Sequence, residues 1–343
     1  MKRFLALISL LLLFALCLAS CDEAAVSVVG AAFNEVGELI LTMSDGTTQN
    51  VGKVPVEGGE TAEEPAGFDF YPLSDGTYGV DLIKSAYMEE VVVPSTYRGK
   101  SVTSLIGVGD VSNLYDNAKI KKITIPNTVV IIGEDALAFP LLETVAFEEG
   151  SQLKTIGNAA FYGCKELSNI TLPDSITDIA CDAFGGCEAL PLTEYDNARY
   201  FGTASNPYMI LMEAKNTEIT SCTVHADTRV ITDRAFNSCA SLNTVTFAQN
   251  AKVVEIGDYV FNGCNNLQSF TVPASVVEFG NMLFGYRGPD ALMFEITDGW
   301  WMGTYSGEKI ADAPLTNDPA ANAALYKGTT SGSTNYSWYW YRT

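Results

Sequence analysis

The single histidine of this chain, His225, is the first residue to consider for catalysis, because it lies in CTVHADTR between two reactive neighbours. Cys222 precedes it by three positions and Asp227 follows it by two. A thiol or carboxylate beside an imidazole can form a nucleophile and base pair, but residues two apart in a strand share a face by geometry alone. No nucleophile elbow accompanies the group. We therefore interpret His225 as a solvated residue on a strand surface and expect no enzyme activity.

Eight cysteines raise the questions of zinc binding and of disulfides. No C-x-x-C spacing indicates zinc, and one histidine is too few for a multi-histidine site. Pairing remains open, and the neighbourhood of Cys181 and Cys187 is the place best suited to a bridge. Four cysteines recur at one position of an internal repeat, which predicts small buried thiols stacked on one another: Cys164, Cys187, Cys239 and Cys264.

Acidic residues dominate the charge, with 41 Asp and Glu against 20 Lys and Arg and a net charge of −21. A nucleic acid is therefore excluded as an expected partner, because its phosphates would meet like charge. Acids that follow one strand, Asp174, Asp178 and Asp182, do not form the D-x-D-x-D-G loop that gathers such groups around calcium. We predict a solvated acidic surface, with no metal and no cofactor.

The first 20 residues have the composition of an export signal. Lys2 and Arg3 precede a largely apolar stretch that ends near Leu18, followed by small residues. The run LASC, which ends at Cys21, resembles the lipobox of bacterial lipoproteins, in which the cysteine is lipidated and becomes the mature N-terminus. That resemblance implies lipidation at Cys21 and an exported, surface-exposed protein held to the cell envelope through its lipid.

Two short segments separate this signal from the main domain. Residues 21–53 contain β-prone runs on both sides of Ser44-Asp45-Gly46, which predicts a small β-hairpin module. Residues 54–67, with VEGGETAEEPAG within them, have few apolar side chains and predict a solvated acidic linker.

An internal repeat organises most of the remaining chain. An anchor pair of the Ile-Gly type recurs, and a large apolar residue stands five positions after the first member of each pair. These apolar residues are Leu137, Phe161, Phe184, Phe236, Phe261 and Phe284. An L-x-x-L-x-L core at a period of 23 to 25 residues predicts an α/β-type leucine-rich-repeat solenoid, in which each coil adds a short strand to a parallel sheet.

The repeats IGNAAFYGCKELSNITLPDSI and IGDYVFNGCNNLQSFTVPASV resemble the BspA-type leucine-rich repeats of bacterial surface proteins. On that basis we assign residues 68–290 to the solenoid, with a hairpin island at 195–230, and residues 291–343 to an aromatic C-terminal cap. The resemblance implies a non-catalytic adhesion or binding module, since a stacked sheet supplies surface rather than an enclosed pocket.

Two surfaces are candidates for ligand binding. The first is the strand face, where polar residues alternate with core residues: Thr124, Asn169, Thr171, Thr244, Thr246, Ser269 and Thr271. Threonine is also an ordinary strand former, so a merely soluble face is the alternative. The second is the C-terminal segment, whose aromatic rings either stack on sugars or cover the last coil: Trp300, Trp301, Trp338 and Trp340.

The sequence therefore predicts a lipid-anchored, non-catalytic cell-surface protein that binds an extracellular protein or glycan. The alternative is a glycan-binding lipoprotein of a surface carbohydrate-uptake system.

Overall fold

The computed structural model describes residues 28–33, 39–43, 47–52, 67–107, 118–304, 306–330 and 339–343. The expected signal, the expected lipidation site Cys21, nearly all of the linker and Trp338 lie outside this described part. Within it, no helix combines the length and the apolar character that crossing a membrane requires. The chain divides into two compact units, Met1–Ala62 and Glu63–Thr343.

The first unit contains a three-stranded antiparallel sheet of β1 (Val28–Phe33), β2 (Leu39–Met43) and β3 (Thr48–Gly52). Strands β2 and β3 pair on either side of the Asp-Gly dipeptide, as in the expected hairpin, with Leu41 opposite Gln49. Strand β1, which we did not expect, pairs with the other edge of β2.

The second unit is a solenoid built mainly of short strands. Its helical part within the described residues is small, a 3-10 turn at Ile83–Ser85 and one helix, α1 (Pro319–Thr330). Its strands are β4 (Asp69–Pro72), β5 (Tyr78–Asp81), β6 (Glu90–Val92), β7 (Thr96–Tyr97), β8 (Lys100–Leu105), β9 (Lys122–Ile125), β10 (Ile131–Ile132), β11 (Thr144–Phe147), β12 (Thr155–Ile156), β13 (Asn169–Ile170), β14 (Asp178–Ile179), β15 (Thr193–Tyr195), β16 (Ala198–Phe201), β17 (Ile210–Ala214), β18 (Ser221–Val224), β19 (Val230–Ile231), β20 (Thr244–Phe247), β21 (Glu255–Ile256), β22 (Ser269–Val272), β23 (Glu278–Phe279), β24 (Ala291–Phe294), β25 (Trp300–Gly303), β26 (Lys309–Asp312) and β27 (Tyr339–Arg342).

Two parallel ladders run along the solenoid. The first ladder has three hydrogen-bonded blocks, β6-β9-β11-β13, β18-β20 and β22-β24. The second ladder carries the anchor pairs and has two blocks, which include β8-β10-β12-β14 and β17-β19-β21-β23. Parallel pairing of successive coils confirms the solenoid, and the scarcity of helix makes it more purely β than the α/β type we expected.

The island is where the ladders are interrupted. Strands β15, β16 and β17 form an antiparallel meander, which includes the expected hairpin. The same segment also continues the solenoid, because β17 pairs in parallel with β19 and β18 pairs in parallel with β20. The segment that we assigned wholly to an insertion therefore contains repeat strands as well.

The repeated apolar residue five positions after each anchor forms the centre of the core. Phe161, Phe184 and Phe236 are each at most 2% exposed, and the rings of Phe161 and Phe184 stack with centroids 4.9 Å apart. The next pair, Phe236 and Phe261, stacks at 5.4 Å. Each coil thus buries its apolar ring against the equivalent ring of its neighbour, which is why one coil cannot fold alone.

The glycine of the anchor pair is required by a contact between coils. A Cβ atom on Gly257 would lie 2.4 Å from Oδ1 of Asp233, and one on Gly280 would lie 2.1 Å from Oδ1 of Asp258. These carboxylates need the space because each binds the next coil: Asp233 accepts from the N–H of Asp258 at 2.7 Å, and Asp258 accepts from the N–H of Asn281 at 2.7 Å. The Ile-Gly pattern is therefore a requirement of coil stacking.

The cysteine column is buried, and all six cysteines from Cys164 to Cys264 are free thiols. Cys164 donates its S–H to the carbonyl oxygen of Leu137 at 3.2 Å, and Cys187 donates to that of Phe161 at 3.1 Å. Both acceptors are the fifth residue after an anchor in the preceding coil. The cysteines are thus small core residues that also satisfy a backbone carbonyl between coils.

The C-terminal segment covers the last coil. Strand β27 pairs antiparallel with β23, and the ring of Trp340 stacks on Phe279 with centroids 5.3 Å apart. Trp300 packs on the same phenylalanine at 5.4 Å, and its indole N–H donates to the carbonyl of Ile296. Helix α1 adds Tyr326, which is 1% exposed. Strand β24, at the start of the segment that we assigned to the cap, instead extends the first ladder.

Candidate functional site

The expected strand face is present as three blocks rather than as one continuous column. Thr124 and Asn169 belong to the first block, Thr244 and Thr246 to the second, and Ser269 and Thr271 to the third. Thr171 directly follows β13 in the first block. These side chains are exposed or half-buried, while their neighbours along each strand point into the core.

Pairing across the first ladder identifies further members of this face. Thr223 lies opposite Thr246, and the hydroxyl of Thr246 donates to that of Thr223 at 3.3 Å. Val92 and Ala146 lie on either side of Thr124, and Met293 lies opposite Thr271. The expected Asn169, Thr244 and Ser269 lie in a second outward row of the same strands. We call the first outward row the ladder face: Val92, Thr124, Ala146, Thr171, Thr223, Thr246, Thr271 and Met293. This row offers hydroxyls and methyl groups, and the neighbouring outward row carries the ion pair of Glu90 and Lys122.

A second feature, which the sequence analysis missed, is a cavity of about 420 Å³ on the second ladder. Cys181 and Asp182 line one side of it, directly after β14, the last strand of the β8-β10-β12-β14 block. Carboxylates of the following block line the other: Asp233, Glu255, Asp258 and Glu278. We call this cavity the acidic cleft.

Burial changes the proton affinity of the acidic cleft. Loss of solvent raises the pKa of Glu255 to about 7, and burial together with the nearby Asp233 raises the pKa of Asp258 to about 6. Burial also raises the pKa of Asp182 and that of Glu278. Glu255 and Asp258 therefore keep their protons to a higher pH than exposed acids do.

Most of the polar groups in the acidic cleft already bind the backbone or one another. Asp182 accepts from the N–H of Ala159 at 3.0 Å, and Glu255 accepts from the backbone of Cys181. The hydroxyl of Tyr339 donates to Oδ2 of Asp258 at 3.0 Å. Among the described residues, no group of three His, Cys, Asp or Glu has the arrangement of a metal site. The carboxylates of this cleft act mainly as hydrogen-bond acceptors that join coils.

His225 does not lie on a solvated surface as we expected. Its ring stacks on Tyr208 with centroids 4.0 Å apart and meets the edge of Tyr195 at 4.8 Å. Its Nδ1 atom accepts from the N–H of Asp227 at 3.1 Å. The prediction was wrong because the island brings Tyr195 of β15 and Tyr208 of the turn before β17 over this histidine. These contacts hold the segments of the island together.

The aromatic residues of the C-terminal segment divide into two sets. Trp300 and Trp340 are 3% and 1% exposed and belong to the core. Trp301 is half-buried on the opposite face of β25, where its ring stacks on Tyr341 with centroids 4.5 Å apart. The cap interpretation therefore fits Trp300 and Trp340, and Trp301 requires another explanation.

A family model for the BspA type leucine rich repeat region matches residues 111–203 and 214–288 with six copies. The repeat region belongs to the BspA-type family. Its anchors, its phenylalanine column and its cysteine column are the features described above. The unmatched residues 204–213 fall in the island, where the ladders of the BspA-type solenoid are interrupted.

Two solved structures are similar to this chain. A leucine rich cell surface protein from Faecalibacterium prausnitzii A2-165 is 22% identical, with a TM-score of 0.39, over 69% of this chain and 55% of that one. A leucine-rich repeat protein from Eubacterium ventriosum ATCC 27560 is 19% identical, with a TM-score of 0.37, over 67% of this chain and 70% of that one. The present chain thus spans about half of the first relative. No curated protein matches it.

The lining of the acidic cleft can be recognised in the sequence when the repeat copies are aligned. The position two after each anchor isoleucine is polar in successive copies, with Asn158, Cys181, Asp233 and Asp258. These four residues line the cleft together. The pattern alone does not indicate that Glu255 reaches Cys181, because that contact depends on the interruption at the island.

Proposed function

We propose that this protein is a non-catalytic cell-surface binding protein, anchored through lipid on Cys21, that presents the ladder face to an extracellular protein. The BspA-type repeats support a surface repeat protein whose role is binding. The LASC run supports the anchor and places the repeat units outside the membrane. The strongly acidic composition argues against nucleic acid as the ligand.

The observation that carries the proposal is the ladder face itself. Strand pairing holds its residues in fixed rows, with Thr223 opposite Thr246 and Val92 opposite Thr124. Small hydroxyl and methyl side chains on a rigid sheet lose little conformational entropy on binding, so a flat partner is accommodated at low cost. Val92 is 66% exposed and Met293 is 38% exposed, and they add apolar contacts at the two ends of this face.

Non-catalytic binding is tested by exposing the purified full chain, in detergent, to immobilised laminin and collagen IV. We expect saturable retention of the chain by at least one of them, and each partner should be recovered with unchanged mass. Cleavage or covalent change of the partner would contradict the non-catalytic proposal. Failure to bind either one above an albumin control would count against a matrix-protein ligand.

A further inference from the structure

The aromatic residues of the C-terminal sheet lie on two faces. Side chains alternate along β25 and β27, so Trp300, Met302 and Trp340 point inward and are at most 8% exposed. Trp301 and Tyr341 point to the other face and are half-buried. The inward set therefore makes the apolar part of the cap, and Trp301 lies on the opposite face.

The outward rings belong to a row that crosses four strands. Glu278 lies opposite Tyr341, Tyr341 opposite Trp301, and Trp301 opposite Asp312. Neighbouring strands are about 4.8 Å apart, so the row extends over about 14 Å. Two stacked rings thus stand between carboxylates on one sheet face.

The two rings are held in place by the sheet. The hydroxyl of Tyr341 donates to the carbonyl oxygen of Thr304 at 2.9 Å. The Trp301 ring lies over Gly303, since a Cβ atom at that glycine would come within 2.6 Å of Cζ3 of the tryptophan. A ring fixed before binding loses little entropy when a ligand stacks on it.

Trp301 also lines a groove of about 570 Å³ at the edge of the sheet. The exposed groups around it are Asp298, Lys309 and Asp312, and the C-terminal Thr343 adds a hydroxyl. Lys309 and Asp312 form an ion pair. The groove therefore offers hydrogen-bond donors and acceptors beside an aromatic ring.

We propose that this groove binds an uncharged oligosaccharide, with one pyranose ring stacked on Trp301. The C–H face of a pyranose suits the electron-rich face of an indole, and its hydroxyls both donate and accept hydrogen bonds. Asp298 and Asp312 accept from such hydroxyls, and Lys309 donates to them. The groove suits a free cation less well, because the positive charge of Lys309 lies in it. It also suits an anionic sugar less well, because such a sugar would be repelled by the net charge of −21 on the chain.

The test is isothermal titration of the full chain in detergent with cellohexaose, maltohexaose and chitohexaose. We expect at least one hexasaccharide to bind, and Trp301→Ala to weaken that binding at least tenfold. Trp301→Phe keeps a ring and should lose less. Tyr286→Ala is the matched control, because Tyr286 is 84% exposed and lies outside the groove.

Three outcomes would overturn the proposal: no binding of any hexasaccharide, unchanged binding by a folded Trp301→Ala variant, or binding of spermine alone. The site is separate from the ladder face. A Thr246→Lys variant should therefore bind the sugar normally, so failure of the glycan site and failure of the proposed function are distinguishable.

Discussion

The thiol of Cys264 donates a hydrogen bond to the carbonyl oxygen of Phe236, 28 residues earlier in the chain, at 3.1 Å. The same donor and acceptor positions meet in Cys187 and Phe161. One side chain thus fills the core and donates a hydrogen bond to a backbone carbonyl of the neighbouring coil. An exported protein can therefore carry a column of cysteines whose role is packing rather than cross-linking.

Thiol reactivity tests this role of the cysteines. Burial raises the pKa of Cys264 to about 12 and that of Cys222 to about 12, so few thiolates form at pH 8. We expect the folded protein to react slowly with a dithiobenzoate reagent. In guanidinium chloride, all six cysteines from Cys164 to Cys264 should react rapidly. Fewer than six reactive thiols in the denaturant would reveal a disulfide and contradict the packing role.

Core truncation tests the register of the coils. Phe184 is 2% exposed and stacks on Phe161, so Phe184→Ala should lower the free energy of unfolding by about 3 to 5 kcal/mol. Thr171 is exposed, and Thr171→Ala should cost less than about 1 kcal/mol. Urea unfolding followed by circular dichroism measures both. Similar losses in the two variants would mean that the proposed inward and outward positions are wrong.

The acidic cleft predicts a pH dependence of stability. The folded state holds a proton on Glu255 up to a pKa of about 7, whereas the unfolded residue loses it near 4.5. Because the folded state binds more protons between these values, the free energy of unfolding should fall as pH rises from about 4.5 to 7. Glu255→Gln should flatten this slope, and Glu149→Gln, at an exposed acid, should leave it unchanged. Equal slopes for wild type and Glu255→Gln would contradict the prediction.

The lipid anchor is tested by Cys21→Ala. The wild-type protein should enter the detergent phase in a Triton X-114 partition, because acyl chains on Cys21 bury methylene groups in lipid. The variant should move to the aqueous phase or remain unprocessed. Identical partition of the two proteins, with the signal removed from both, would contradict the lipoprotein proposal.

The repeated features of the fold were predictable because repetition amplifies a weak signal. A single Phe161 indicates little, but the same residue type at the same offset in Phe184, Phe236 and Phe261 identifies the core column. The fold class follows from that column, and the family match supports it. The small helix content could not be predicted from the column, because a short irregular turn and a short helical turn have similar residue composition.

The site features were less predictable because they depend on contacts between distant strands. Adjacent tryptophans, Trp300 and Trp301, look equivalent in sequence, and only the pairing of β25 with β27 assigns one to the core and the other to the outer face. The local sequence predicted a solvated His225, because the tyrosines that cover its ring, Tyr195 and Tyr208, come from distant positions in the island. The members Thr223 and Met293 of the ladder face likewise became visible through their cross-strand partners.

The affinity of lysine variants for a retained protein partner tests the ladder face most directly. Thr171→Lys and Thr246→Lys place long charged side chains on this face without entering the core. Thr217→Lys is the control, since Thr217 is exposed in a turn outside the ladder strands. We expect at least tenfold weaker binding for each of the first two variants and no change for the control, with all three folded. Normal binding by both ladder-face variants would contradict the proposed site.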